Sequence, residues 1–203
     1  MKITKLLIAL LISANCYSQN PLSLWDAVWD NPAFETCNTA KDANYMNQRE
    51  KDVIWVLNCM RLHPSLFLKT VILYWDYPPR YTNVREREEY KSLIPYFKNL
   101  EPIGMVYPDS LIHMSARTRA EEYPSHRGHN RTTQRGIDNK CNCSESISYN
   151  SFESIDIVMD LLVDINNPNY GHRRMLTDSD YLKVGAAIRK QNPGFFISII
   201  DFR

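Results

Sequence analysis

The chain has no excess of either charge. Lys and Arg number 24 and Asp and Glu 23, so whole-chain electrostatics give no reason to expect a nucleic acid or an anionic membrane as partner. After the first residues, no stretch approaches the roughly 20 apolar residues that a membrane-spanning helix needs. The Gly-x-Ser-x-Gly elbow of hydrolases, the His-Glu-x-x-His helix of zinc peptidases and the Cys-x2-Cys spacing of structural zinc sites are all missing. No internal repeat or low-complexity tract occurs. What remains is a 203-residue chain, 44% hydrophobic and 23% charged, with the composition of one globular domain.

The start of the chain is the most distinctive stretch. Met1-Lys2-Ile3-Thr4-Lys5 is short and basic, Leu6 to Ala14 is apolar, and Cys16-Tyr17-Ser18 offers a small-x-small cleavage pattern before Gln19. This predicts a secretory signal peptide over 1–18 and a secreted or periplasmic location. A lipoprotein acylated at Cys16 is the competing reading, against which Asn15 is a poor residue to precede such a cysteine. Cleavage leaves Cys37, Cys59, Cys141 and Cys143 in an oxidising compartment, where two disulfides are expected. Cys141 and Cys143 look too close to bridge each other without strain, so each is expected to reach back to Cys37 or Cys59. A zinc-thiolate site is the alternative.

Residues 20 to 47 show no period, which predicts an irregular N-terminal arm (19–48) covering the core and pinned by Cys37. From Arg49, residues Val53, Ile54, Leu57 and Met60 recur at three- and four-residue steps, predicting a helix that ends near His63-Pro64. Ser65 to Tyr74 can continue as a second helix. Pro78-Pro79 and Asn83 mark a loop, and Arg85 to Glu89 a solvated helical face. Asp109 is placed to cap a helix through Glu122 with Leu111, Ser115 and Thr118 on one side. The polar stretch from Ser125 to Lys140 is a loop where a site can form. Asn150 and Glu153 resemble a capping box before a buried helix over 151 to 164, ended by Asp164. Gly171 to Leu176 can begin another short helix with His172 in its first turn. Lys183 to Arg189 and Phe195 to Phe202 read as a terminal hairpin turning at Asn192-Pro193-Gly194.

Five short motifs follow one another between about Glu50 and Phe202. They are Leu57-Asn58-Cys59-Met60-Arg61 with Pro64; Ala116 with Arg119-Ala120-Glu121; His126 with Gly128; Ser144-Glu145-Ser146-Ile147; and Gly171-His172-Arg173 with Leu176 and Val184-Gly185. In this order they resemble the CAP superfamily (SCP or PR-1-like domains), in its secreted bacterial form. Arg119, Ser144 and Ser146 depart from the family pattern. The resemblance implies a CAP domain over 49–203: an α+β fold, built as a three-layer α-β-α sandwich with a small, mostly antiparallel central sheet. It also implies a cleft with two histidines and two acidic residues, which fall on His126, Glu145, His172 and, in place of the usual glutamate, Asp164.

Neutral imidazoles and carboxylates suit Zn2+ or another divalent metal, with water in the open position. In that reading His126 and His172 ligate the ion while Glu145 and Asp164 orient the imidazoles or hold a bridging water. The plainer reading is a hydrogen-bonded network of the four without metal. Glu145 as general base on a metal-bound water would give a peptidase-like hydrolase, and a disulfide-stabilised scaffold without catalysis is a third possibility. The resemblance implies binding of an extracellular ligand: a lipid or sterol, a glycan, or a partner protein. Tyr74-Trp75-Asp76-Tyr77 with Trp25 and Trp29 offer an apolar surface for it. His129 reads as a surface loop residue, His113 and His63 as packing or capping residues, and Arg173 and Arg174 as solvated.

Overall fold

The computed structural model describes residues 19–76, 83–122, 128–191 and 195–203. Among these residues the chain forms eight α-helices and a four-stranded mixed sheet, an α+β fold. The strands are β1 (Tyr107–Pro108), β2 (Ser144–Tyr149), β3 (Lys183–Lys190) and β4 (Phe196–Phe202), in the order β1-β3-β4-β2. β3 and β4 form the antiparallel hairpin expected from their apolar pattern, with Val184 opposite Phe202. Its turn at 192–194 lies outside the described residues. β2 runs antiparallel along the other side of β4 and sets Glu145 opposite Asp201. Only the two-residue β1 is parallel to its neighbour.

Side chains alternate across the sheet with period two, and each face receives helices. Ile197 and Ile199 of β4, Ala187 of β3 and Ile147 of β2 meet Ala116 and Ala120 of α5 (Ser110–Glu122). Small residues on both sides let helix and sheet approach closely. Gly185 takes this furthest: a Cβ there would stand 2.2 Å from the His113 backbone nitrogen and 2.4 Å from the Ile112 carbonyl carbon. Asp109 caps α5 as expected, its Oδ1 accepting the N–H groups of Leu111 and Ile112. The buried stripe runs through Ile112, Ser115, Ala116 and Arg119, however, and Leu111 and Met114 face solvent.

The opposite face carries the larger core, where Val184, Ala186, Ile200 and Phe202 pack with α1 (Gln48–Leu62) and α7 (Ser154–Val163). α1 opens with a capping box between Asn47 and Glu50. The buried Glu50 carboxylate also accepts from the Ile188 N–H and from Arg189, fastening the start of α1 to β3. α7 begins three residues later than the sequence suggested, because Asn150 turns left-handed to end β2 and Glu153 makes no side-chain cap. The stretch expected as a second helix is α2 (Pro64–Phe67) followed by a wider turn, Leu68–Ile72. The charged run contributes a 3-10 turn and α3 (Glu88–Lys91), followed by α4 (Leu93–Lys98). α6 (Gln134–Asp138) and α8 (Gly171–Leu176) complete the set.

Several expectations are corrected here. Cys141 and Cys143 are bonded to each other across a Cα–Cα distance of 5.2 Å, an ordinary span for a disulfide. Cys37 and Cys59 are buried thiols side by side in the large core, and the sheet separates them from the other pair. The arm is therefore held by packing, through Leu22, Trp29 and Cys37 with no solvent exposure, and by Asn58, whose amide donates to the Cys37 carbonyl. Trp29 and Trp75 belong to the core, with their indole N–H groups donated to Thr70 and Asp156. They do not form an apolar outer surface; Tyr74 is exposed, and Tyr77 lies outside the described residues. Arg173 is buried, donating to the Leu162 and Glu89 carbonyls and stacked on Tyr170, where a solvated side chain was expected. No helix among the described residues is long and apolar enough to cross a membrane.

The substitution Gly185→Ala would press a methyl group into the α5 backbone, which cannot yield as a side chain can. A loss of about 3 kcal/mol is expected, at the upper end for overpacking, measured as a lower urea midpoint at unchanged slope. Wild-type stability in this variant would show that α5 does not rest on β3 at backbone distance.

Candidate binding cleft

Glu145 lies on the α5 face of the edge strand β2, near the end where the sheet meets the loop that follows α5. One carboxylate oxygen stands 2.9 Å from His129 Nδ1 and the other accepts from Arg131 Nη2 at 2.8 Å. The Arg131 side chain is itself almost fully buried. It donates to the Ser115 hydroxyl at 3.1 Å and lies 3.8 Å from Asp201 Oδ2. Ser115, one helical turn into α5, donates its own hydroxyl to Asp201 Oδ2 at 2.9 Å. These residues, with Lys140, Cys141, Cys143, Ser144 and Met175, line a cleft of about 320 Å³.

Asp201 is 1% exposed, and its Oδ1 has no hydrogen-bond partner among the described residues. Burial pushes its carboxyl up to about 7, and the Glu145 charge directly opposite adds to the rise. The Ser115 hydroxyl and the nearby Arg131 and His129 act against it without reversing it.

Asp164 and His172 form a second, separate pair. Asp164 ends α7 in a left-handed conformation, φ 56°, and its carboxylate turns onto the start of α8. Oδ2 accepts the backbone N–H of His172 at 2.9 Å, Oδ1 meets the ring Nδ1 at 2.8 Å, and Asn167 donates to Oδ2 as well. With Nδ1 committed, Nε2 is the ring nitrogen left to meet a ligand. Two further left-handed residues, Asn166 and Tyr170, bend the connecting loop back so that this contact closes. Met175, three residues after His172 and on the same side of α8, lines the cleft and accepts from Ser146.

The four residues expected to converge thus divide. Glu145 is joined to His129 and Arg131, Asp164 to His172, and no hydrogen bond links the two groups among the described residues. His126 lies outside the described residues. No three His, Cys, Asp or Glu side chains among the described residues stand close enough to hold a metal ion. Asp164, the departure from the family pattern, proves to be the group that fixes His172. Three participants were missed: His129, assigned to bulk surface; Arg131, in a loop with no period; and Asp201, inside an apolar strand whose register the sequence does not reveal. The one available signal was the lone carboxylate in the run Phe195 to Phe202. His113, as expected, is structural, its Nδ1 on the Ala186 carbonyl at 2.8 Å.

The raised carboxyl of Asp201 makes stability depend on pH. Between the ordinary value near 4 and about 7, the folded chain retains a proton that the unfolded chain releases, so stability falls as pH rises through this window. The contribution is complete only below the unfolded value. Urea unfolding of wild type from pH 4 to 7.5 should lose on the order of 3 kcal/mol relative to Asp201→Asn. Parallel profiles for the two proteins would mean that Asp201 is ionised throughout.

No protein-family model matches the chain, and no curated protein and no solved structure matches it either.

Proposed function

We propose that this is an exported CAP-type domain that works by binding, with the cleft between α5, β2 and α8 as its ligand site. The observation that supports the reading is the oriented histidine–carboxylate contact in the cleft wall, His129–Glu145 at 2.9 Å, with Arg131 on the other carboxylate oxygen; the His172–Asp164 pair lies outside this lining, on the helix that supplies Met175. Most of the lining side chains carry polar groups, His129, Arg131, Lys140, Ser115, Ser144 and two carboxylates among them, while Met175 and the two cysteines add apolar surface, and Trp29 and Trp75 are spent in the core. These polar groups suit a polyhydroxylated ligand such as a glycan, whose hydroxyls pair with imidazole, guanidinium and carboxylate groups.

Glu145 is a poor general base in this arrangement because both its oxygens are already engaged by His129 and Arg131. The described donors do not fit a zinc ion either, since His172 has Asp164 alone beside it. A panel of soluble oligosaccharides and sterol- or phospholipid-containing vesicles, titrated by calorimetry, tests the proposal. A saturable oligosaccharide is expected, weakened at least tenfold by His129→Ala, about the worth of one charge-assisted hydrogen bond. Vesicle binding indifferent to this substitution would overturn it, as would stoichiometric Zn2+ uptake that is lost in His126→Ala.

A further inference from the structure

We propose that the Cys141–Cys143 disulfide is redox-active and exchanges with an external dithiol in the cleft, Asp201 giving a proton to the Cys141 sulfur as it leaves. The inference does not depend on which ligand the cleft binds. Its first support is position. Both cysteines are half-buried in the cleft lining, whereas a bridge that only staples the fold gains most by closing a long loop. With one residue between them, these two cysteines close almost no chain.

The second support is the surroundings of Cys141. Its Sγ lies 3.8 Å from Asp201 Oδ2, and its backbone N–H is donated to the Ser115 hydroxyl at 3.3 Å, which fixes the sulfur against the carboxyl. The groups facing Asp201 are Glu145 from β2, Ser115 from α5, and His129 and Arg131 from the loop. The buried Oδ1, unpartnered among the described residues, together with the opposing Glu145 charge, favours a protonated acid near neutrality. Lys140 and Arg131 place two cationic groups in the cleft lining, Arg131 paired with Glu145, and Lys140 is the cation left to stabilise a departing thiolate.

The exchange runs in two displacements. A substrate thiolate attacks Cys143 Sγ, the Cys141–Cys143 bond breaks as the mixed disulfide forms, and the electron pair leaves on Cys141 Sγ, which takes the proton of Asp201. The second substrate thiol, losing its proton to solvent, then attacks the substrate's first sulfur in the mixed disulfide and releases Cys143 as a thiolate, which takes a proton from solvent, as does the Asp201 carboxylate. The substrate dithiol is oxidised to a disulfide by two electrons, and Cys141 and Cys143 are reduced to two thiols. A low-molecular-weight disulfide such as oxidised glutathione returns the pair to the bonded state by the reverse exchange.

The test is equilibration of the purified mature protein in buffers of varied reduced-to-oxidised glutathione ratio, with acid quench, alkylation and mass measurement of the peptide containing both cysteines. The bond is expected to titrate at millimolar glutathione. Its reduction by dithiothreitol at pH 7 should slow about tenfold in Asp201→Asn and two- to fivefold in Lys140→Gln, an exposed position that does not bear on folding. A bond that stays fully oxidised in a large excess of reduced glutathione would overturn the proposal. Reduction rates unchanged in both variants would do the same.

Discussion

The approach of α5 to the sheet at backbone distance governs everything else in this molecule. Gly185 brings the start of α5 to backbone distance from β3, and Ala187, Ala116 and Ala120 keep thin the layer that Ile147, Ile197 and Ile199 complete. That closeness lets a hydroxyl as short as that of Ser115 reach a carboxylate near the C-terminal end of β4. A larger residue at any of these positions would lift the helix and open Asp201 to water, returning its carboxyl to ordinary behaviour. The chemistry at the end of the sheet therefore rests on packing at its own register position, where Gly185 stands opposite Asp201.

The polar residues that stand out in the sequence turn out to organise backbone. Asn58 donates to the carbonyls of Cys37 and Val106 and accepts the Val106 N–H, serving as a strand partner for a segment that has none. Arg61, wholly buried, donates to the carbonyls of Gly104, Leu176 and Tyr181, and burial pulls its guanidinium down to about 10. Arg173 does the same for Leu162 and Glu89. Buried carbonyls at helix ends and in irregular loops need donors. A guanidinium, with five N–H groups in a fixed fork, serves several at once.

This explains which parts of the fold were legible in the sequence. α1 and the β3–β4 hairpin were legible from their apolar runs, although α1 is buried without a break from Val53 to Arg61 and has no solvent face there, and Asp109 and Asp164 mark helix ends by local hydrogen bonding. β2 was hidden because Ser144, Ser146 and Ser148 occupy the face it turns toward α7 and α8, where Tyr181, Met175 and Asp160 serve as their partners. A strand of alternating serines has no hydrophobic signature. Of the candidate site, Glu145 lines the cleft while His172 pairs with Asp164 outside its lining, and the placing of Asp201 opposite Glu145 depends on strand register, which the sequence does not reveal. The cysteine pairing failed for a related reason, since nothing local reveals that a sheet separates Cys37 from Cys141.

The loop between α7 and α8 makes its reversals with Asp164, Asn166 and Tyr170 in left-handed conformations, in a chain with six glycines among 203 residues. A side chain in that region carries about 1–2 kcal/mol of native strain. It also leaves the unfolded segment with fewer conformations than glycine would allow. The segment therefore loses less entropy on ordering. His172 is held to Asp164 by a stiff frame, and the orientation of its ring is fixed by the fold itself.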